Sequence, residues 1–214
     1  MNNTIFNLFP TTVMICEQKY KLSNKEIEYI KNIEQEKNHG GGENYKSVSS
    51  DILENKELNN LKKFFNYEVQ NYMYNHLNIK KNIEFYITQS WSNYNNKNER
   101  HHKHSHPNSI VSGVFYIQGY APIRFHRADQ IFPLDFQVEN YKIENATTWL
   151  FGTKPNDLIL FPSKLEHSVL PNEKDETRIS IAFNTFIKGT IGEEKNLTEL
   201  NIKDKIKELD FYHI

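Results

Sequence analysis

From Lys81 onward the chain breaks into short runs rich in β-branched and aromatic residues: "IEFYITQSWSNY", "SIVSGVFYIQG", "IRFHRA", "ATTWLFG", "DLILFPS" and "RISIAFNTF". Pro, Gly, Asn and Asp punctuate them. Short β-branched and aromatic runs at this spacing, with turn residues between them returning the chain on itself, predict a sandwich or barrel of strands. This punctuation constrains the fold more than any other feature.

The first third reads differently. "NLFPTTVMICEQ" predicts a strand with an edge proline at Pro10. In "LSNKEIEYIKNIEQEK", Ser23 and Glu26 form a capping-box spacing, and Ile27, Ile30 and Ile33 follow at helical intervals. "NHGGGENYKSVSS" reads as a loop around Gly40 to Gly42. A second helix is expected from about Glu57 to Leu77, where Leu58, Leu61, Phe65, Val69 and Tyr72 make one apolar stripe suited to covering a sheet. The tail "LTELNIKDKIKELDFYHI" predicts a short helix and a flap. We therefore expect a mainly β fold with flanking helices. Its parts are an N-terminal strand and helices over 1–82, a β core over 83–190 and a C-terminal helix or tail over 191–214, packed as one structural domain.

Composition narrows the function classes. A formal net charge of −1 over 214 residues argues against nucleic acid or an anionic membrane as the main partner. With 14 Phe and 12 Tyr the core is expected to be aromatic. The single cysteine, Cys16, allows no internal disulfide and no cysteine-based zinc motif, and its apolar setting suggests a small buried hydrophobe. The opening residues lack a secretory pattern and no run reaches membrane-spanning length, so a cytoplasmic protein is the expectation.

Chemistry concentrates in "HHKHSHPNS". On a regular strand His102, His104 and His106 share a face and His101 takes the other. Alternate Cα atoms lie about 6.6 Å apart, so two neighbouring imidazoles can converge on one ion at bonds of about 2.1 Å, whereas three in a row cannot. His104 and His106 are the better pair because they adjoin the next strand. A third ligand is offered by His167, which follows the strand "DLILFPS" after a short turn. Farther on, Arg178 and Ser180 share one strand face, a cation and a hydroxyl suited to a small dicarboxylate.

The paired stretches "SWSNYNNKNERHHKHSHPNSIVSGVFYI" and "PNDLILFPSKLEHSVLPNEKDETRISIAFN" resemble the 2-oxoglutarate and Fe(II)-dependent oxygenases, and within them the prolyl-hydroxylase-like group of bacterial and phage proteins. The resemblance implies a double-stranded β-helix (jelly roll), with Fe(II) held by His104, His106 and His167 as the catalytic centre. 2-Oxoglutarate would chelate the iron and place its far carboxylate on Arg178 and Ser180. Tyr116 and Tyr94 are further candidates for that carboxylate, and Trp91 and Asn93 for the pocket wall. Val114, Tyr116, Phe161 and Phe183 would keep it dry. O2 would be the second cosubstrate, and the chemistry oxidative decarboxylation to succinate and CO2 coupled to hydroxylation of a primary substrate.

The wider superfamily carries H-x-D where this chain has His106 in place of the carboxylate. Acidic replacements are not in the motif: Glu99 and Asp129 lie apart, and Glu166 would face away from His167. Two other classes share the histidines. A cupin-type site or a zinc lyase or hydrolase also uses three, but "HKHSHPNSIV" lacks the glutamate a cupin places after H-x-H, and neither explains Arg178 with Ser180. A non-catalytic metal-binding protein is the third class, and a homodimer through the long second helix is compatible with each.

Overall fold

The structure, a computed structural model, describes residues 3–39, 43–120, 122–128, 133–134 and 136–203. Strand β1 (Met14–Cys16) and helix α1 (Asn24–Asn32) come first, followed by β2 (Gln35–Lys37), β3 (Tyr45–Ser47) and helix α2 (Asn59–Gln70). The β core comprises β4 (Ile83–Asn95), β5 (His101–His104), β6 (Val111–Gln118), β7 (Ile123–His126), β8 (Thr148–Phe151), β9 (Leu158–Pro162), β10 (His167–Val169) and β11 (Arg178–Ile191). A last strand, β12 (Leu200–Ile202), pairs with the end of β11.

These strands form two sheets. The major sheet has eight strands in the order β1-β9-β6-β11-β4-β3-β2, with β12 added on β11, and the minor sheet runs β5-β10-β7-β8. Every pairing within them is antiparallel. Two antiparallel sheets built from interleaved strands make the expected jelly roll.

Alternation along β11 decides which residues meet which layer. Ile179, Ile181 and Phe183 turn to the helices, where Phe65 of α2 stacks on Phe183 at 4.8 Å and tilts against Phe115 at 5.4 Å. The whole stripe Leu58, Leu61, Phe65, Val69 and Tyr72 is buried there. Gly113 lies opposite Phe183 in the ladder, and a Cβ at that position would run into the Phe183 ring. A smaller cluster of Tyr116, Ile123, Phe125, Ile159 and Phe161 is buried apart from that core.

The capping box at α1 is present: the Ser23 hydroxyl accepts from the Glu26 amide and the Glu26 carboxylate accepts from the Ser23 amide. Three expectations change. The first strand is confined to Met14–Cys16, because Ile5, Phe6, Leu8 and Phe9 are exposed and pair with nothing in the sheet. Of the tail expected as a short helix and a flap, Leu200–Ile202 forms β12, because β11 continues to Ile191 and offers it an edge, and residues 204–214 lie outside the described residues. Cys16 is buried as expected but also donates to Glu68, and burial pushes its thiol up to about 12. Gly40 to Gly42 and Asp129 also lie outside the described residues. Among the described residues no helix is long and apolar enough to cross a membrane.

Candidate metal and cosubstrate site

The inner faces of the two sheets supply different halves of one cavity. On the minor sheet the register aligns His104 of β5 with His167 of β10, Phe125 of β7 and Trp149 of β8. On the major sheet it aligns Arg178 with Asn95, Ser180 with Asn93 and Tyr116, and Ala182 with Trp91 and Val114. The cavity is lined by residues from both rows, including His101, His104, His106, His167, Arg178 and Asn95.

One ring nitrogen each from His104, His106 and His167 lies within 4.8 Å of the other two. His104 and His167 are 4.3 Å apart between ring centroids, and His106 is 5.1 Å from each. The Nδ1–H of His104 donates to the carbonyl of His102 at 2.9 Å, and that of His167 to the carbonyl of Leu165 at 3.0 Å. These bonds fix the tautomer, leaving Nε2 of both rings as a lone-pair donor. His106 is placed by its backbone amide, which donates to the Ser163 carbonyl at 2.9 Å, and by Trp91, whose ring lies 5.8 Å from its own. Burial, together with the neighbouring His104, lowers His106 to about 4 and His167 to about 3. Above pH 6.5 the His106 and His167 rings are therefore neutral, the state a metal ligand requires, and burial lowers His104 in the same direction.

The histidine cluster departs from regular alternation. His167 and Val169 are two residues apart on β10, yet they pair with His104 and His101, three apart on β5. This bulge turns His101 inward beside His104, with Nδ1 to Nδ1 at 3.2 Å, and leaves His102 exposed. His101, expected on the opposite face, thus joins the cavity beside His104, and His102 stays at its solvent edge.

Arg178 is 2% exposed. Its Nη2 donates to the Leu170 carbonyl at 3.1 Å, and its Nη1 has no partner. Burial lowers the guanidinium to about 10. Its cross-strand neighbour Asn95 is 4% exposed, and Nδ2 of that side chain is likewise without a partner. Tyr116 is buried beside Arg178 and hydrogen-bonds with Thr153, and burial raises its phenol. Among the described residues none that lines the cavity is acidic.

Tyr94 is a correction. It falls between Asn93 and Asn95 on β4 and so faces the helices, where its hydroxyl donates to the Ile30 carbonyl and accepts from Ser92 at 2.9 Å. Phe183 turns to the same side, and Phe161 sits behind His167 with ring centroids 4.8 Å apart, so neither lines the cavity. Val114, Tyr116, Trp91 and Asn93 do line it. Asn95 escaped the sequence reading although its signal was present: Trp91, Asn93 and Asn95 alternate in "WSNYN". Asn44 and His101 had no such signal, one arriving from β3's approach and the other through the bulge. Glu166 points outward to Lys103 at 2.8 Å, and Glu99 accepts from the Asn96 amide, so neither supplies a carboxylate.

Residues 89–184 match the family model described as "Putative 2OG-Fe(II) oxygenase". No curated protein matches the chain in sequence. Among solved structures it is similar to SnoN, described as a non-heme alpha ketoglutarate dependent epimerase from nogalamycin biosynthesis, with 9% identity, 84% of this chain and 81% of the other covered, and a TM-score of 0.58. HygX from Streptomyces hygroscopicus, solved with nickel and 2-oxoglutarate, gives 10% identity, 82% coverage of each chain and a TM-score of 0.54. A prolyl-4-hydroxylase from Pseudomonas putida gives 12% identity, 81% and 92% coverage, and a TM-score of 0.53. At these identities the likeness is one of fold, and the family likeness comes from the sequence that builds the cavity. Over residues 89–184 the chain is thus similar in sequence to the 2OG-Fe(II) oxygenases, a family of oxidoreductases that use Fe(II) and 2-oxoglutarate, and its fold is theirs.

Proposed function

We propose that the chain is a dioxygenase that couples oxidative decarboxylation of 2-oxoglutarate to hydroxylation of a primary substrate, with O2 as oxidant. His104, His106 and His167 hold the metal. Arg178 and Asn95 hold the far carboxylate of the cosubstrate, with Ser180 and Tyr116 beside it. The observation that carries this reading is the pair of buried, unpartnered donors, Arg178 Nη1 and Asn95 Nδ2, side by side across the ladder. A buried donor without an acceptor costs about 1–3 kcal/mol, more when charged, so a site that keeps two of them is built for an anionic acceptor. A cupin-type or hydrolytic zinc centre would use the same imidazoles but leaves these donors without purpose.

Bound Fe(II) would supply an open coordination position for O2 and the redox chemistry of decarboxylation and hydroxylation. The chain's own part is positional. The carbonyls of His102 and Leu165 orient two rings, and the bidentate geometry of a guanidinium fixes the carboxylate in one plane. Val114, Ile123, Val169 and Ala182 exclude water around the reacting end. With no acid among the described lining residues, the cosubstrate is the source of negative charge for both metal and Arg178.

The test is an anaerobic titration of the apo-protein with Fe(II) and then 2-oxoglutarate, following the visible metal-to-ligand charge-transfer band. The band is expected in the wild type and absent in His104→Ala. Iron binding without a band in the wild type would overturn the proposal.

A further inference from the structure

The cavity's histidines form two triangles that share a corner. His104, His106 and His167 have ring centroids 5.1, 4.3 and 5.1 Å apart. His101, His102 and His104 have theirs 4.9, 4.3 and 5.2 Å apart, and one nitrogen from each likewise lies within 4.8 Å of the others. In geometry the second triangle matches the first. Only the first is absorbed by the proposed function.

His104 can serve both because its nitrogens are divided between them. Nε2 is left for the inner triangle, whereas Nδ1 stands 3.2 Å from His101 Nδ1. A tetrahedral ion with bonds of about 2.1 Å holds its ligand nitrogens about 3.4 Å apart, so these two are spaced as ligands of one ion. Asn38 meets the other side of the His101 ring at Nε2, 3.2 Å away, and holds it in place. His102 lies on the solvent side, its ring centroid 4.9 Å from that of His101 and 5.2 Å from that of His104, with one nitrogen within 4.8 Å of one on each of them. Without the β5 bulge, His101 and His104 would face opposite ways and no second triangle would exist.

We propose that His101, His102 and His104 Nδ1 bind a second divalent transition-metal ion, with His104 bridging it to the inner ion. As the outer metal–nitrogen bonds form, the Nδ1 proton of His104 leaves to solvent and its hydrogen bond to the His102 carbonyl is given up, while the proton of His101 moves from Nδ1 to Nε2 and the Asn38 amide turns its oxygen to accept it. An all-imidazole donor set suits zinc, nickel or copper ahead of magnesium or calcium. The exposure of His102 makes the outer ion exchangeable, so this site follows the free metal concentration while the inner one is shielded.

The experiment uses the full chain without a histidine tag, stripped of metal and titrated with Zn2+ by calorimetry, with bound zinc counted by mass spectrometry. The wild type is expected to take two equivalents, His102→Ala one, and His104→Ala neither site in full. One equivalent in the wild type, or two retained in His102→Ala, overturns the outer site. His167→Ala separates this from the inner centre: it should lose one equivalent, and two equivalents there would count against the oxygenase reading instead. His102 is exposed, so its replacement leaves the fold intact and the count interpretable.

Discussion

Replacing Arg178 with methionine should separate binding from folding. Arg178 places a cation in a site that is 2% exposed, with one nitrogen bonded to Leu170 and another bonded to nothing. If the cosubstrate carboxylate completes that shell, Arg178→Met removes a buried charge-assisted pair worth about 2–4 kcal/mol, or roughly 30- to 1000-fold in affinity. The apo-protein fares differently. It loses one hydrogen bond to the Leu170 carbonyl, about 1 kcal/mol, but is relieved of an unpaired buried charge, and such exchanges for apolar residues are often neutral or stabilising. Anaerobic titration of the iron-loaded variant with 2-oxoglutarate measures the first quantity, and thermal unfolding of the metal-free variant measures the second. Cosubstrate affinity within about threefold of wild type, a change of roughly 0.6 kcal/mol, would place the carboxylate elsewhere. A collapse of apo stability would make Arg178 a structural residue and remove the reason for assigning it a ligand.

Asn95→Ala should weaken 2-oxoglutarate about 5- to 10-fold, one neutral donor's contribution of about 1–1.5 kcal/mol, without lowering apo stability, and binding unchanged from wild type would exclude it from the site. Tyr94→Phe should do the reverse: loss of the bonds to Ile30 and Ser92 costs about 1–2 kcal/mol in denaturant unfolding, while cosubstrate affinity stays put. For pH, the native state holds His106 near 4 and His167 near 3, below the ordinary 6.5, so the unfolded chain binds more protons in that window. Apo stability from these groups is complete above about pH 6.5 and is lost as pH falls towards 4 and then 3, with metal occupancy falling alongside. Urea melts at stepped pH check this, and a stability that rises on acidification through that window would contradict it.

The sequence disclosed the sheets because alternation and turn residues are local signals. It also disclosed which β11 side chains share a face, since Arg178 and Ser180 keep strict period two against Ile179, Ile181 and Phe183. Tyr94 shows where an aromatic residue distracts: its own neighbours Asn93 and Asn95 place it on the helix side. The inward turn of His101 was not legible, because a bulge is decided by how β5 pairs with β10, some sixty residues away in the chain. The partnerless state of Arg178 Nη1 and Asn95 Nδ2 was hidden for the same reason, since an unmet donor is a property of everything packed around it.

The division of the cavity between the two sheets has a mechanical consequence. The inward histidines come from the minor sheet and its flanking turn, whereas Arg178, Ser180, Asn95 and Tyr116 belong to the major one. A molecule chelating the metal at one end and seated on Arg178 at the other is a tie between them. Among the described residues no helix packs on the four-stranded sheet, so amide hydrogen exchange along β5 and β10 should slow when metal and 2-oxoglutarate are both bound, beyond what metal alone achieves. Cosubstrate would thus set the rigidity of the wall that a primary substrate meets, giving an order of binding that follows from architecture.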